Sequence, residues 1–535
     1  MERNPEGEEA VAETSGVLSL DSWHLRVTQV ELVDRTDSHN ELVHERQFLL
    51  HQSENPVLLS GNLFLVEDTV GGTGYLLVRQ APLPWSRPVP SAADLRITPR
   101  ERGGYEFAML EPCGGTSGSW TVLEYRGGRL DRARALHRWQ SSRRPVTLNH
   151  TLPCFLCNTW GDRSQDSRIR EDFILAEIEA AAKLGADVVQ IDDGWQRGVP
   201  PGPDGPASGG GLTSGFWNAD ARYWEPHPER FSRGLGPVVE RARARGVKIG
   251  LWFVPDSWND LANWGRDADC ILGFFNTFGI EHLKIDGVSA GTPSAMANLQ
   301  RFFQAVLDGS RGRVVFDLDI TADTRPGYFG AMEVGPLFVE NRYTDWHNYW
   351  PHQTLRNLWK LSRWVDPRRL RMEFLNNTRN KGLYAGDPLA PALYTPATLF
   401  ASVMFSNPLG WFEASNLPDT YRESVAAMVR VWKRHRVAMF EGSTIVPIGA
   451  EPDGVGYTGF MSASDAGDAV YLVVFRELNP AGETSIVLPG VDTAKYRWEL
   501  LAGAGDVASA GGSVRVNIPE QFGFVFARGD KGARM

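Results

Sequence analysis

The stretches ADVVQIDD (186–193), VKIGLWF (247–253), IEHLKID (280–286) and RVVFDLD (313–319) decide the fold of this chain. Each is a short, mostly apolar run, and each is followed by a longer stretch with helical spacing. Strands that alternate with helices build a parallel sheet, because the crossover helix returns the chain to start the next strand in the same direction. Working outward, CFLCNTW (154–160), PLFVEN (336–341), LRMEFLN (370–376) and LFASVMF (399–405) bring the runs to eight. Positions within successive runs recur at 33 residues, from 160 to 193, from 253 to 286 to 319, and from 341 to 374, about one strand, one helix and two loops. Eight such units predict a closed (β/α)8 TIM barrel over residues 151–435.

The helices between the runs carry their own stops: EDFILAEIEAAAKLG ends at Gly185 and PERFSRGLGPVVERARARG at Gly246. The Gly/Pro/Ser-rich stretch 197–220 after the second run reads as a loop over the face where barrel active sites lie. Residues 1–130 alternate like strands, as in SWHLRVTQVELV and PVLLSGNLFLVED, and predict an N-terminal β-rich domain. Residues 131–150 form a helical linker, whose basic run reads as a solvated face, and 436–535 return to short strands that predict a C-terminal antiparallel β-sandwich. The fold class is α/β with two β-rich flanks.

Composition narrows the partners. Lys+Arg is 55 against Asp+Glu 65, and a net charge of −10 repels phosphate backbones and anionic membranes, so neither nucleic acid nor membrane is expected. The opening MERNPEGEEAVAETSG has no basic start or apolar run, and no segment reaches 18 apolar residues, so a cytoplasmic protein is expected. Four cysteines are too few for a disulfide framework, and Cys154 and Cys157 have no second Cys/His pair to complete a metal site. No cofactor or metal is expected, and homo-oligomerisation is left open.

Carboxylates dominate the ends of the runs, where barrel enzymes keep their chemistry. Asp192 and Asp193 precede Gly194-Trp195, Lys284 stands two residues before Asp286, run five carries Asp317 and Asp319, and run six leads through Glu340, Asn341 and Arg342 to Asp345. Two carboxyl groups, one ionised and one able to donate a proton, are what glycoside hydrolysis needs, and Asp286 with Asp345 supplies such a pair. Lys284 shares a strand face with Asp286 and favours its ionised form. Of 18 Trp, several stand beside polar residues in loops, Trp160, Trp195, Trp217, Trp258, Trp346 and Trp411 among them. Flat rings there suit sugars, although any single one is more readily a core ring.

The order of these motifs resembles the catalytic barrel of the retaining α-galactosidase clan, glycoside hydrolase families 27 and 36. VVQIDDGWQ is similar to the clan's I-D-D-[GC]-W, VKIGLWFVPD to its K-x-G-L-W-F-x-P-[ED], HLKID to its K-[YW]-D nucleophile strand and CNTWGD to its N-x-W. The three-part layout is closest to family 36. The resemblance implies Asp286 as the nucleophile, and Lys284, Asp192, Asp193, Trp160, Trp195 and Trp252 as sugar-site residues, the paired Asp gripping the 4- and 6-hydroxyls. NRYTDWHNYW (341–350) is similar to a family 27 segment R-x-x-x-D-x-x-x-x-W, which implies Asp345 as acid/base with Asn341 and Arg342 nearby and Glu340 as the fallback. The resemblance to family 36 further implies Arg325 as the counterpart of an Arg that reaches the 2-hydroxyl. The expected activity is retaining hydrolysis of terminal α-D-galactosyl or related galacto-configured residues, with the 2-substituent open. The alternatives are a raffinose-synthase-like transglycosylase, an α-N-acetylgalactosaminidase or a barrel that binds carbohydrate without cleaving it.

Overall fold

Eight parallel strands close on one another in the middle of the chain: β1 (Leu156–Asn158), β2 (Val188–Ile191), β3 (Lys248–Phe253), β4 (His282–Ile285), β5 (Val315–Asp319), β6 (Leu337–Phe338), β7 (Leu370–Leu375) and β8 (Asn407–Trp411). β8 pairs back onto β1, Leu409 opposite Leu156, so the sheet has no edge. This computed structural model describes residues 13–33, 36–38, 40–50, 55–80, 93–111, 119–162, 168–198, 214–322 and 326–532. Most of the expected loop over the barrel face, 199–213, lies outside the described residues, as does Cys113.

The eighth strand corrects the sequence reading. LFASVMF falls mainly in the helix Pro396–Val403, and the strand is the next segment, NPLGW. Thr395 caps that helix by accepting from the Thr398 amide at 3.1 Å, and Pro396 occupies the first turn, where a missing N–H costs nothing. Residues 398–403 are all buried, so the helix shows no polar face and imitates a buried strand. β8 escapes notice because Pro408 and Gly410 read as a turn. A side chain at Gly410 would put its Cβ 2.6 Å from the Phe412 ring.

Other helices follow their signals. Glu171–Leu184 ends at Gly185 with φ 83°, while the helix before β3 is shorter than its pattern and spans Gly236–Ala244. The linker helix is Arg129–Ser142, and its basic run is only partly a solvated face. Arg132 is buried, and Arg134 and Arg138 reach Asp465 of the C-terminal sheets at 2.9 and 3.1 Å. Just beyond, Arg144 pairs with buried Asp366 at 2.6 Å. The helix therefore ties barrel to sandwich.

The N-terminal flank is two antiparallel sheets, one of strands 13–20, 105–111, 95–99 and 57–59, the other of 43–49, 25–32, 63–68, 73–80 and 119–126. Glu41 pairs with Arg356 at 3.1 Å and Glu45 with Arg363 at 3.0 Å, fastening this flank to the barrel. The helix Asp419–Phe440 leads to a five-stranded and a three-stranded antiparallel sheet over 443–531 that share one apolar core. Among the described residues no helix is long and apolar enough to cross a membrane.

Candidate active site

Lys284, on β4, is the centre of the site. Its Nζ lies 3.2 Å from Asp192, which follows β2, 3.8 Å from Asp286, just past β4, and 3.9 Å from Asp319, the last residue of β5. The side chain is 6% exposed, with the ammonium over the Phe338 and Trp411 rings at 4.9 and 5.3 Å from their centroids. Burial alone would lower its pKa, but the charges of Asp192, Asp286 and Asp319 outweigh it and hold the ammonium above the ordinary lysine value. The protein thus supplies its own cation among these carboxylates. Among the described residues no group of three His, Cys, Asp or Glu is arranged to hold a metal ion.

Asp286 is positioned from three sides. Trp252 Nε1 on β3 donates to Oδ2 at 3.1 Å, the Gly287 amide donates to Oδ1 at 2.7 Å, and Lys284 stands behind. Its side chain remains 31% exposed, whereas Asp192 and Asp319 are buried. Asp192 accepts from Asn158 Nδ2 of β1 at 2.7 Å and from the Asp193 amide at 2.9 Å. The Asp193 carboxylate accepts from Gln196 at 2.6 Å. Trp160, at the end of β1, is partly buried, its amide donating to Asn158 at 2.8 Å.

Beyond β6 the chain carries the other expected residues. Asp345 is exposed in a turn on the same rim as Asp286, since both follow the C-terminal ends of parallel strands. Glu340, the fallback acid, is 1% exposed and accepts from Asn357 at 2.6 Å, so it is enclosed. Beside it Glu373 accepts from the Arg342 amide at 2.7 Å, and burial together with the Glu340 charge pushes its carboxyl well above the usual range. Arg342 is also buried, its guanidinium donating to the Thr36 carbonyl at 3.0 Å, and it fastens the N-terminal flank. Asn341 accepts from Tyr343 Oη at 2.5 Å.

Trp195 corrects another expectation. Its ring is 0% exposed, packed at 5.9 Å from Trp224 and 5.3 Å from Phe274, with Nε1 donating to the Trp252 carbonyl at 3.0 Å. It supports Trp252 from behind, and an enclosed ring offers no face to a sugar. Arg325 lies outside the described residues.

Two residues escaped the list of expected site residues. Asp319 was legible, because Asp317 and Asp319 alternate on β5 and share the barrel-facing side. Asp317 is bound lower down by Arg371 at 2.8 Å, leaving Asp319 to Lys284. Asp37 had no such signal. It comes from the N-terminal flank, in the short turn Thr36–Ser38, and its amide donates to the Thr321 carbonyl at 3.2 Å. Desolvation raises its carboxyl above the usual aspartate range, opposed by a hydrogen bond with Asn341 and the Arg342 charge and reinforced by the Asp286 charge. The N-terminal flank therefore contributes an acid beside the carboxylate cluster.

No family model matches the chain. Curated relatives match over short stretches: an α-galactosidase of Escherichia coli is 28% identical over 88 residues, and α-galactosidase Mel36A of Lactobacillus acidophilus 27% over 101. α-Galactosidase C of Emericella nidulans is 31% identical over 120 residues. These matches take in 16%, 19% and 21% of this chain and span only 10%, 12% and 14% of the relatives' own lengths. The fold likeness is far more extensive. The α-galactosidase of Lactobacillus brevis superposes with a TM-score of 0.70 at 12% identity, covering 98% of this chain and 76% of that one. A variant of the GH36 α-galactosidase AgaA from Geobacillus stearothermophilus, in complex with 1-deoxygalactonojirimycin, gives 0.69 at 13% identity, covering 97% and 76%. The architecture is that of the GH36 α-galactosidases, a barrel between two β-rich flanks.

Proposed function

We propose that this chain is a retaining α-glycosidase that hydrolyses terminal α-D-galactosyl or related galacto-configured residues. The observation that carries the reading is Asp286, partly exposed at the barrel rim and held by Trp252, Gly287 and Lys284. Its lone pair attacks the anomeric carbon as the bond to the leaving oxygen breaks, and Asp345 in its acid form gives that oxygen a proton. Water then attacks the glycosyl-enzyme, loses a proton to Asp345 and releases Asp286, so two inversions give net retention. Asp192 and Asp193 are the acceptors proposed for the 4- and 6-hydroxyls, and Trp160, Trp252 and Asn341 complete the proposed wall. The support from relatives is that AgaA variants were crystallised with raffinose and stachyose.

A panel of nitrophenyl α-galactoside, α-N-acetylgalactosaminide, α-glucoside and β-arabinopyranoside tests the reading. Fastest cleavage of the galactoside with retained configuration is expected. Faster cleavage of the glucoside removes the assigned role of the Asp pair.

A further inference from the structure

The loop tryptophans separate cleanly by burial. Trp195 and Trp411 are enclosed, and Trp160 and Trp217 are partly buried, the latter beneath the Arg266 guanidinium at 4.7 Å. Trp258 and Trp346 remain exposed, at 44% and 50%. An indole left half in water at a barrel rim forfeits burial that a core position would give it. Trp346 is the one joined to the carboxylate cluster by continuous packing. Its ring stands edge-on to Tyr343 at 4.6 Å, Tyr343 lies 6.1 Å from Trp411, and Trp411 carries the Lys284 ammonium on its face.

The turn that presents it is tightly held. Asn348 accepts from the Tyr343 amide at 2.8 Å, and Asn380 donates to Thr344 at 2.9 Å. His347 is held in the left-handed region at φ 55°, with its ring edge-on to Tyr384 at 4.7 Å. A left-handed non-glycine residue costs about 1 kcal/mol, a strain that persists only where surrounding contacts fix it. Asp345 and Trp346 are thus offered together on a preorganised turn.

From this arrangement we infer that Trp346 is a stacking platform for the leaving group, and that the leaving group it selects is a hexopyranosyl ring. The inference rests on the assignment of Asp345 as the acid. The acid protonates the leaving oxygen, so the leaving group lies on its side of the scissile bond, where the next residue in the chain is this indole. The face of an aromatic ring is electron-rich and attracts the slightly positive C–H hydrogens that a pyranose presents on its flatter side. Contact of this kind is made in both ground and transition states, so it lowers KM more than it raises kcat.

Trp346→Ala and Trp346→Phe, assayed on melibiose and on methyl α-galactoside, test this. Both substrates need the acid, and only melibiose has a ring in its leaving group. Trp346→Ala should lose about tenfold in kcat/KM on melibiose, mainly through KM, and stay within about twofold on methyl α-galactoside. Trp346→Phe, which keeps a face, should recover most of the loss. Equal losses on the two substrates would mean that Trp346 acts through Asp345, and no loss on either would leave it without a role; each overturns the inference. A wild-type protein that cleaves neither substrate overturns the glycosidase reading itself, and the platform falls with it.

Discussion

The two ends of the barrel are both rich in charge, yet their charges are arranged differently. Below β2, Asp187 meets Lys433 at 2.6 Å and Arg436 at 2.7 Å and also accepts from the Phe155 amide at 2.9 Å. Below β4, Glu281 meets Lys248 at 2.7 Å, Arg313 at 2.5 Å and Asn149 at 3.0 Å. At this end each carboxylate has two cations. At the opposite rim Asp192, Asp286 and Asp319 converge on Lys284, at 3.2 to 3.9 Å. Carboxylates that each meet two cations hold a fold together, whereas carboxylates gathered around one ammonium shift one another's charge state, an arrangement that clusters at functional sites.

Substitutions at the two ends should therefore separate activity from stability. The largest effect is expected of Asp286→Asn, which removes the proposed nucleophile and should cost ~10^4-fold or more in turnover on every α-galactoside. A mechanism-based reagent that labels the wild type covalently at Asp286 should leave this variant unlabelled. Asp345→Asn should come next, slowing natural disaccharides far more than aryl galactosides with good leaving groups, since those depart without a proton. Equal slowing of both would remove Asp345 from the acid role.

Lys284→Met probes the shared cation. It leaves like charges facing one another in a buried site, so it should abolish turnover and also destabilise the fold by about 3–5 kcal/mol at neutral pH. Acidification should narrow that stability gap, because protonated carboxyls no longer repel. Thermal unfolding of both proteins at neutral and at acid pH checks it; a gap that does not change with pH would mean the lysine acts through packing alone.

The same contrast explains what the sequence could reveal. β2 to β5 were legible because each is a short, mostly apolar run, three of them closing on Asp, and Lys284 with Asp286 because residues two apart on a strand share a face. β8 was not, because the fully buried helix Pro396–Val403 has the composition of a strand while the strand itself contains Pro408 and Gly410. Trp195 was misassigned because a motif places a residue along the chain without fixing which way its ring points; here it points into the Trp224–Phe274 cluster. Asp37 could not be found at all. Its partner segments, around Asn341 and Thr321, are some 300 residues away, and only the folded chain brings the N-terminal flank onto the barrel rim.

The smallest effect on activity, and the sharpest test of the contrast, is expected of Glu281→Gln at the saturated end. Burial tends to raise this carboxyl, but hydrogen bonds from Lys248, Asn149 and Arg313 and the Lys248 charge win and bring it down to about 2. Its ordinary value is 4.5. A carboxyl whose pKa is lower in the folded than in the unfolded chain stabilises the fold above the unfolded value and loses that contribution as pH falls through the folded one. Discounted for solvent screening of its exposed cation partners, this makes the wild type more stable than the variant by about 2 kcal/mol at pH 7, and the difference should shrink as pH falls from about 4.5 toward 2, where the protonated acid holds its cations no better than the amide does. The proposed galactosidase activity at pH 7 should stay within about twofold, because Glu281 precedes β4 at the end of the barrel away from Asp286. Denaturant unfolding across this pH range, alongside kcat at pH 7, decides the matter. Loss of activity comparable to that of Lys284→Met would mean that the two ends are coupled and that the arrangement of charge does not divide them.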